Sequence, residues 1–255
     1  QHIMPVTRLP YDMNSDYATD AIDIELAINF LFGVYPLPDQ VLSRIDFNLD
    51  GVINIFDLVN MINQIMGYEI SISEIPVYAS ILINENTVFL DSDIDIAGIQ
   101  LSIAPGLNLT GLVDESLNFE YNEGIIIIYS IEESSLIGRN PFFLYDGNLV
   151  ISEVLISDKS GNSVEAGVSL LPTEFRIDGI YPNPFNSNTT IKFDLESDTI
   201  LSLKIYDLLG REVDILLSDE FYYSGEYQVS WNPTQMASGI YFARLSRFGE
   251  SDMVK

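Results

Sequence analysis

Residues 46–57 read DFNLDGVINIFD, and this stretch decides how the N-terminal part of the chain folds. Calcium binds six to eight hard oxygen atoms at about 2.3–2.6 Å, and a 12-residue loop provides them from positions 1, 3, 5, 7, 9 and 12. The stretch predicts such a loop, with Gly51 at the sharp turn of position 6 and a helix directly after it. The predicted ligands are Asp46, Asn48, Asp50, the carbonyl of Val52, Asn54 (directly or through water) and Asp57. The alternative that the residues leave open is an Asx-rich surface turn in front of a helix, without an ion.

The same pattern occurs 34 residues earlier, in residues 12–23, which read DMNSDYATDAID. Seven of the 22 positions in residues 12–33 are identical to their counterparts in residues 46–67, which indicates a duplicated supersecondary unit. The ligand positions are retained as Asp12, Asn14, Asp16, Ala18, Asp20 and Asp23. Tyr17 replaces the glycine, and a positive φ there would cost roughly 1 kcal/mol. We therefore expect two Ca²⁺ sites, the first weaker, or a first loop that keeps its shape without an ion.

Apolar residues follow each loop at the spacing of three and four residues that is typical of helices. They are Leu26, Ala27, Phe30 and Leu31 in the first repeat, and Leu58, Met61, Ile62, Ile65 and Met66 in the second. Gly33 and Gly67 then provide C-cap signals. Asp39 is expected to cap a short helix that reaches Ile45.

Residues 75–170 contain short β-branched runs separated by turn clusters rich in Asn, Asp and Gly. These runs predict strands at 77–83, 87–90, 99–103, 124–131, 142–144, 149–156 and 163–170. The acidic string at 91–95 fits a solvated strand edge or a second kind of calcium site. Regular strands with such turns favour an antiparallel β-sandwich.

Apolar and polar residues also alternate near the C-terminus, within 191–195, 201–205 and 227–231, after a linker at 171–173. The predicted fold class is therefore multidomain and mainly β. It comprises a small α-helical paired calcium-loop module at 1–67, an antiparallel β-sandwich at 75–170 and a second one at 176–255.

The chain of 255 residues carries 38 acidic and 11 basic side chains, a net charge of −27. This balance argues against nucleic acids and anionic membranes as partners, because phosphate binding needs clustered Lys and Arg. The absence of cysteine excludes disulfides and thiol nucleophiles, and the single histidine, His2, argues against a Ser-His-Asp triad. No apolar run approaches the 18 residues of a membrane span. The chain does not begin with Met and shows no signal peptide, so we expect a processed form or a fragment.

Two acidic pairs, Asp114-Glu115 and Glu132-Glu133, are considered as glycosidase acids, which must face each other across a substrate cleft. The middle segment is small for such a cleft, and the single tryptophan, Trp231, lies outside it. We therefore predict no enzymatic activity and no catalytic residues.

The segment from about residue 10 to 67 resembles a type I dockerin, because two loop–helix repeats carry Asp rather than Glu at position 12. The resemblance implies calcium-dependent binding of a cohesin partner. It places the contacts at loop positions 10 and 11 and the following helix face, here Ala21, Ile22, Ile55 and Phe56. All four are apolar, and exposed apolar patches commonly mark contacts. The alternative is that some of them pack inside the module itself.

Two further resemblances concern the rest of the chain. Residues 75–170 resemble a cohesin-type or carbohydrate-module-like sandwich through the strings at 97–102, 126–130 and 155–162, none of which is decisive. Residues 176–255 resemble the type A sorting domain of the type IX secretion system, through YPNPFN at 181–186, LKIYDLLGREV at 203–213 and ASGIYFARL at 237–245. That resemblance implies export across an outer membrane, and often cleavage and attachment to surface lipopolysaccharide. Residues 251–255 are short for its final strand, which suggests truncation.

Together these patterns predict a non-enzymatic protein, secreted or on the outer surface of a Gram-negative bacterium. Its expected partners are the secretion machinery and a cohesin-like module of the same chain, another copy or a foreign protein. The short linker at 68–74 favours packing within one chain, through a high effective concentration. Two alternatives stay open: an accessory C-terminal part of a larger polysaccharide-degrading enzyme, and a carbohydrate-binding adhesin.

Overall fold

A computed structural model describes residues 10–68, 78–131, 136–233 and 236–255. The chain forms two compact units, residues 1–169 and residues 170–255. The helical segment and the first sandwich share the first unit. His2, most of the expected linker at 68–74, and Glu132-Glu133 lie outside the described residues.

Three helices form the N-terminal part of the first unit: α1 (Ala21–Leu31), α2 (Asp39–Ile45) and α3 (Ile55–Met66). Asp20 and Asn54 cap α1 and α3 through side-chain oxygens that accept a backbone N–H, so each long helix begins inside the loop that precedes it. The short helix differs from expectation. Pro38 is its N-cap and Asp39 its first helical residue, because proline already fixes the extended backbone that a cap requires.

The helix ends follow the glycine signals. Gly67 caps α3 in the left-handed conformation with φ 75°, whereas α1 is capped by Phe32 and Gly33 follows with φ 70°. The helical face buries a common core made of Ile24, Ala27, Ile28, Leu31, Val41, Ile45, Leu58, Met61 and Ile62. None of the described helices is long and apolar enough to cross a membrane.

Eight antiparallel strands form the sandwich of the first unit. They are β1 (Tyr78–Asn84), β2 (Thr87–Ile103), β3 (Asn108–Gly111), β4 (Leu117–Asn122), β5 (Ile125–Ser130), β6 (Leu136–Asp146), β7 (Ile151–Asp158) and β8 (Ser163–Leu170). The first half of β2 pairs with β1 and β6, and its second half pairs with β5 and β7. Phe142, Phe143, Leu90 and Leu101 are among its fully buried core residues.

The strand β2 corrects the sequence interpretation, which placed two separate strands at 87–90 and 99–103. The acidic string between them continues the strand, and the partners change there: the pairing with β6 is irregular between Ser92 and Ile96. Ser92 is buried and Asp93 and Asp95 are exposed, so the string keeps one side in water. It therefore lies in the middle of a long strand and not at the edge of the sheet.

Two strands of this sandwich, β3 and β4, were absent from the sequence interpretation. The four residues of β3 are too short and too exposed to give a periodic signal. The strand β4 reads LNFEYN and does alternate apolar and polar residues, so this signal was present and was missed.

Seven strands form the second unit: β9 (Arg176–Tyr181), β10 (Thr189–Leu195), β11 (Thr199–Asp207), β12 (Glu212–Tyr222), β13 (Gly225–Trp231), β14 (Tyr241–Arg247) and β15 (Glu250–Val254). They form a sheet of order β13-β10-β9 and a sheet of order β12-β11-β14-β15. Ile191, Phe193, Leu203 and Leu245 are fully buried between them. The five-residue β15 pairs with β14 along its whole length.

Candidate calcium loops and docking interface

The second predicted calcium loop is closed by hydrogen bonds from its own backbone to its acidic side chains. Asp46 accepts the N–H groups of Asp50 and Gly51 at 3.2 and 3.0 Å. Asp57 accepts those of Phe47 and Asn54 at 2.8 and 3.0 Å. The first and last predicted ligands are thus both oriented by the loop backbone.

The first loop repeats this arrangement 34 residues earlier. Asp12 accepts the N–H groups of Asp16 and Tyr17 at 3.1 and 3.2 Å. Asp23 accepts those of Met13 and Asp20 at 2.7 and 2.9 Å. Because every one of these bonds has its counterpart in the other loop, the two loops share one backbone conformation.

The inner predicted ligands also match between the loops. Asn14 and Asn48 each donate to the aspartate two residues on, at 2.8 Å in both cases. Asp16 and Asp50 each accept the N–H group of the residue at position 7, Ala18 or Val52. Asp20 and Asn54, at position 9, are the helix N-caps described above.

Position 6 of each loop has the left-handed backbone that the sequence predicted. Gly51 has φ 83° and Tyr17 has φ 71°. The tyrosine therefore adopts a conformation that costs a non-glycine residue roughly 1 kcal/mol. The first loop has the same shape as the second at the cost of this backbone strain.

The loops bury negative charge. Asp12, Asp23 and Asp57 are each at most 2% exposed. Burial, with a smaller contribution from the charges of Asp46 and Asp50, raises the pKa of Asp57 to about 6, although the N–H groups of Asn54 and Phe47 act in the opposite direction. Within the described ranges, none of the ion pairs involves a loop carboxylate. Buried unpaired carboxylates are costly, and a divalent cation would offset that cost.

The donor set fits calcium, which prefers carboxylate, amide and carbonyl oxygens. No three Asp, Glu or His side chains in the described parts of the chain are grouped closely enough to form a ready-made metal cluster. The loop carboxylates instead accept the loop N–H groups. A carboxylate oxygen has two lone pairs, so it can accept an N–H and still bind an ion.

The four residues that the dockerin resemblance assigned to a partner are not equivalent in the structure. Ala21 and Ile22, in the first repeat, are exposed, Ile22 by 52%. Ile55, in the second repeat, is fully buried, and Phe56 is half-buried. One repeat therefore presents this pair to solvent and the other does not.

Ile55 is buried because α3 lies on the sandwich of the same unit. A Cβ atom added to Gly98 of β2 would stand 2.8 Å from Cγ1 of Ile55 and 2.5 Å from Cγ2 of Val59. Real Cβ atoms do not approach so closely, so only glycine fits beneath these two side chains. Ile127 and Tyr129 of β5 are also part of the helical core.

Two asparagines make the polar contacts of this interface. Asn63 donates its amide to the carbonyl of Lys159 at 2.8 Å. Asn60 donates to the carbonyl of Phe56 in its own helix at 2.8 Å and, more distantly, to that of Gly161 at 3.5 Å. Both asparagines are at most 5% exposed. The interface is thus apolar at β2 and polar at the turn between β7 and β8.

The turn that receives these asparagines is held by Asp158. Its Oδ1 accepts the N–H groups of Ser160 and Asn162, both at 2.8 Å. This Asx turn aims the carbonyls at Lys159 and Gly161 towards α3. The sequence interpretation placed a turn at 158–162 and used the string in the family comparison, but it assigned the turn no contact with the helices. The buried asparagines on α3 were missed, although polar residues on an otherwise apolar helix face were a visible signal.

Three of the remaining acidic candidates, Asp91, Asp95 and Asp114, have structural partners. Asp91 pairs with Arg139 at 2.9 Å, and Asp95 with Lys159 at 3.8 Å. Asp114 accepts hydrogen bonds from the hydroxyl and N–H of Ser116, which lower its pKa and favour its ionised form. A general acid needs the opposite shift, so Asp114 does not fit that role.

Two family models match parts of the chain. Residues 10–66 match the dockerin type I domain, and residues 179–255 match the secretion system C-terminal sorting domain. These matches confirm the first and last resemblances. Both are non-catalytic modules, and the sorting domain indicates export by the type IX secretion system. No curated protein matches the chain.

Among the solved structures to which the chain is similar, three have TM-scores too low to establish a shared fold. A non-cellulosomal cohesin from the archaeon Archaeoglobus fulgidus is 14% identical with a TM-score of 0.26; the match covers 39% of this chain and 92% of that one. Dimeric latent PorU from Porphyromonas gingivalis is 16% identical with a TM-score of 0.25, over 73% and 19% of the two chains. The BSP domain of a biofilm-associated protein is 9% identical with a TM-score of 0.23, over 69% and 27%.

Proposed function

We propose that this chain is a non-enzymatic protein of the outer surface of a Gram-negative bacterium, in which calcium folds a dockerin-type module for protein–protein interaction. The observation that carries the proposal is the pair of loops with matching hydrogen bonds, one in each repeat. Their buried carboxylates gain most from a cation, so ion binding and folding are coupled.

The module binds two Ca²⁺ ions, one in each loop. The proposed ligands of the first ion are Asp12, Asn14, Asp16, Ala18, Asp20 and Asp23, and those of the second are Asp46, Asn48, Asp50, Val52, Asn54 and Asp57. The first site is the weaker one, because Tyr17 holds a positive φ that Gly51 adopts without strain.

The partner of the module is a cohesin-like β-sandwich, and the contact residues are drawn from Ala21, Ile22, Ile55 and Phe56. The sorting domain is recognised by the secretion machinery before the protein reaches the cell surface. The net charge of −27 disfavours nucleic acid as a partner, since phosphate binding needs clustered basic side chains.

Calorimetric titration of the full chain with calcium tests the proposal. We expect two bound ions in the unmodified protein and one each in Asp23→Asn and Asp57→Asn. Asp39→Asn removes an exposed acid of the same module outside the loops and is expected to retain both ions. Circular dichroism in saturating calcium checks that each variant folds. A chain that binds no calcium and keeps its full helical signal in chelator would overturn the proposal.

A further inference from the structure

We infer that the sandwich of β1–β8 is the receptor for the second repeat of its own chain, and that it accepts α3 but not α1. This inference rests on the proposed function, because it names the partner of the calcium-dependent module. It assigns that partner within the same molecule and specifies which of the two repeats is bound.

The first support is the fit between α3 and the sheet. Gly98 has no side chain, so Ile55 and Val59 pack directly on the backbone of β2 at this position. They lie so close that a Cβ atom on residue 98 would clash with both. Both side chains are at most 2% exposed. A glycine inside a strand weakens that strand, and a close approach by another element is a recognised reason to retain it.

The second support is the polar match at the other end of the helix. The buried amides of Asn60 and Asn63 meet carbonyls that the turn after β7 holds in place through Asp158. A buried amide without a partner is costly, so the bond from Asn63 to the turn is what allows this end of α3 to be buried. Asn60 contributes less, because its shorter bond, at 2.8 Å, goes to the carbonyl of Phe56 in its own helix.

The third support is that α1 lacks the residues that this surface requires. With the offset of 34, Ala21 stands for Ile55, Glu25 for Val59, Leu26 for Asn60 and Asn29 for Asn63. A docked α1 would press the carboxylate of Glu25 against Gly98, which is costly in an apolar contact. Leu26 could not donate to the carbonyl of Gly161.

Glu25 and Asn29 of α1 line a cavity with two residues of the sandwich, Glu120 and Tyr129. They are not the side chains that cover Gly98. Glu25 is exposed, and Asn29 donates its amide to the carbonyl of Glu25 within its own helix. The two repeats have therefore diverged at the positions that touch the sheet, although their loops have kept the same hydrogen bonds. Docking of α3 within the chain leaves the exposed pair Ala21 and Ile22 as the face that remains open to other proteins.

Engineered cysteine pairs test the inference cleanly, because the chain contains no cysteine. A Cβ added to Gly161 would lie 2.5 Å from Cγ of Asn60, so Asn60→Cys with Gly161→Cys places two sulfurs within bonding reach. Leu26→Cys with Gly161→Cys is the matched pair for a docked α1. In calcium and mild oxidant, we expect a disulfide within single chains for the first pair and none for the second.

Each other result contradicts the inference. A disulfide in the pair with Leu26→Cys would show that α1 docks as well. Disulfide-linked dimers as the main product of the first pair would show docking between copies. Calcium titration of the reduced variants separates docking of α3 from calcium binding. If the first pair binds two ions but forms no disulfide, only the inference about docking is refuted. If the unmodified chain binds no calcium, the proposed function is refuted.

Hydrogen exchange provides a test that does not depend on the cysteine variants. In calcium, we expect the amides of α3 to be protected in the unmodified full chain and to exchange faster in Gly98→Ala. Gly167→Ala adds a methyl group to β8 with no atom within 4 Å of it and should leave that protection unchanged. Equal exchange of α3 in the two variants would contradict docking on Gly98.

Discussion

Gly98 of β2 lies directly beneath Val59 of α3, so that a methyl group on the glycine would stand 2.5 Å from Cγ2 of the valine. Because this contact is already closed, Gly98→Ala must displace the helix or distort the strand. We expect the free energy of unfolding to fall by about 1–3 kcal/mol, the usual cost of overpacking. Urea denaturation in calcium measures it. Gly167→Ala is the control, and an equal midpoint for both variants would contradict the contact.

Calcium removal should melt the helical segment and spare the sheets. The buried carboxylates of the two loops repel one another without the ion, so folding of the helices depends on it. In excess chelator, we expect the helical far-ultraviolet circular dichroism to be lost. The fluorescence of Trp231, the single tryptophan and a residue of the second unit, should stay unchanged as the internal control. An unaltered helical signal would argue against the prediction.

Gly51→Ala should weaken the second calcium loop through the backbone alone. The added methyl group has open space around it, but the residue has φ 83°. The left-handed conformation costs an alanine about 1–2 kcal/mol, which corresponds to a roughly 5- to 30-fold loss of calcium affinity at this site. Calorimetric titration separates the two sites, and the first site serves as the reference within the same molecule. Unchanged affinity would mean that the loop does not need this backbone.

Asn63→Ala should destabilise the first unit more than Asn29→Ala, although the two residues occupy the same position in the two repeats. Asn63 satisfies the carbonyl of Lys159, whereas Asn29 bonds only to its own helix. We expect the first substitution to cost about 1–2 kcal/mol, since it leaves a carbonyl unpaired. Thermal unfolding followed by circular dichroism compares them. The prediction fails if Asn29→Ala is the more harmful change.

Arg247 should contribute more to the second unit than Arg176. Its guanidinium pairs with Glu196 and Glu250 and lies 4.4 Å from the ring centroid of Phe175, with 17% of the side chain exposed. Arg176 also pairs with acids, but 51% of its side chain is exposed. We expect Arg247→Ala to lower the stability of this unit by about 1–3 kcal/mol. Arg176→Ala should have a smaller effect in urea unfolding followed by Trp231 fluorescence; the reverse order would refute this.

The sequence predicted the backbone of the two loops because their hydrogen bonds join residues at fixed short intervals. Asp57 accepts the N–H group of Phe47, only ten residues away, and a spacing of that kind is visible in the sequence. Asn63, by contrast, meets Lys159 across 96 residues, and no local pattern connects them. The burial of Ile55 could not be predicted for the same reason, because it depends on how close Gly98 lies in the fold.

The strand β2 shows a second limit. Its acidic middle suggested two short strands, because Asp is disfavoured within sheets. In the structure Asp91 pairs with Arg139 of β6, which makes the acid compatible with a continuous strand. The ion pair arises from tertiary structure, so the sequence pattern alone gave the wrong strand boundaries.

The long strand β2 also governs the order in which the first unit assembles. The strand β2 pairs with β7, which ends at Asp158. The backbone hydrogen bonds of β2 are therefore incomplete until that distant segment has folded against it. The bonds that close each calcium loop span ten residues or fewer. Contacts between residues that are near in sequence form faster than contacts between distant ones. We therefore expect the loops and their helices to form before the sheet. On the same grounds we expect α3 to form before its receptor, and a competing protein to have its best opportunity to bind α3 during that interval.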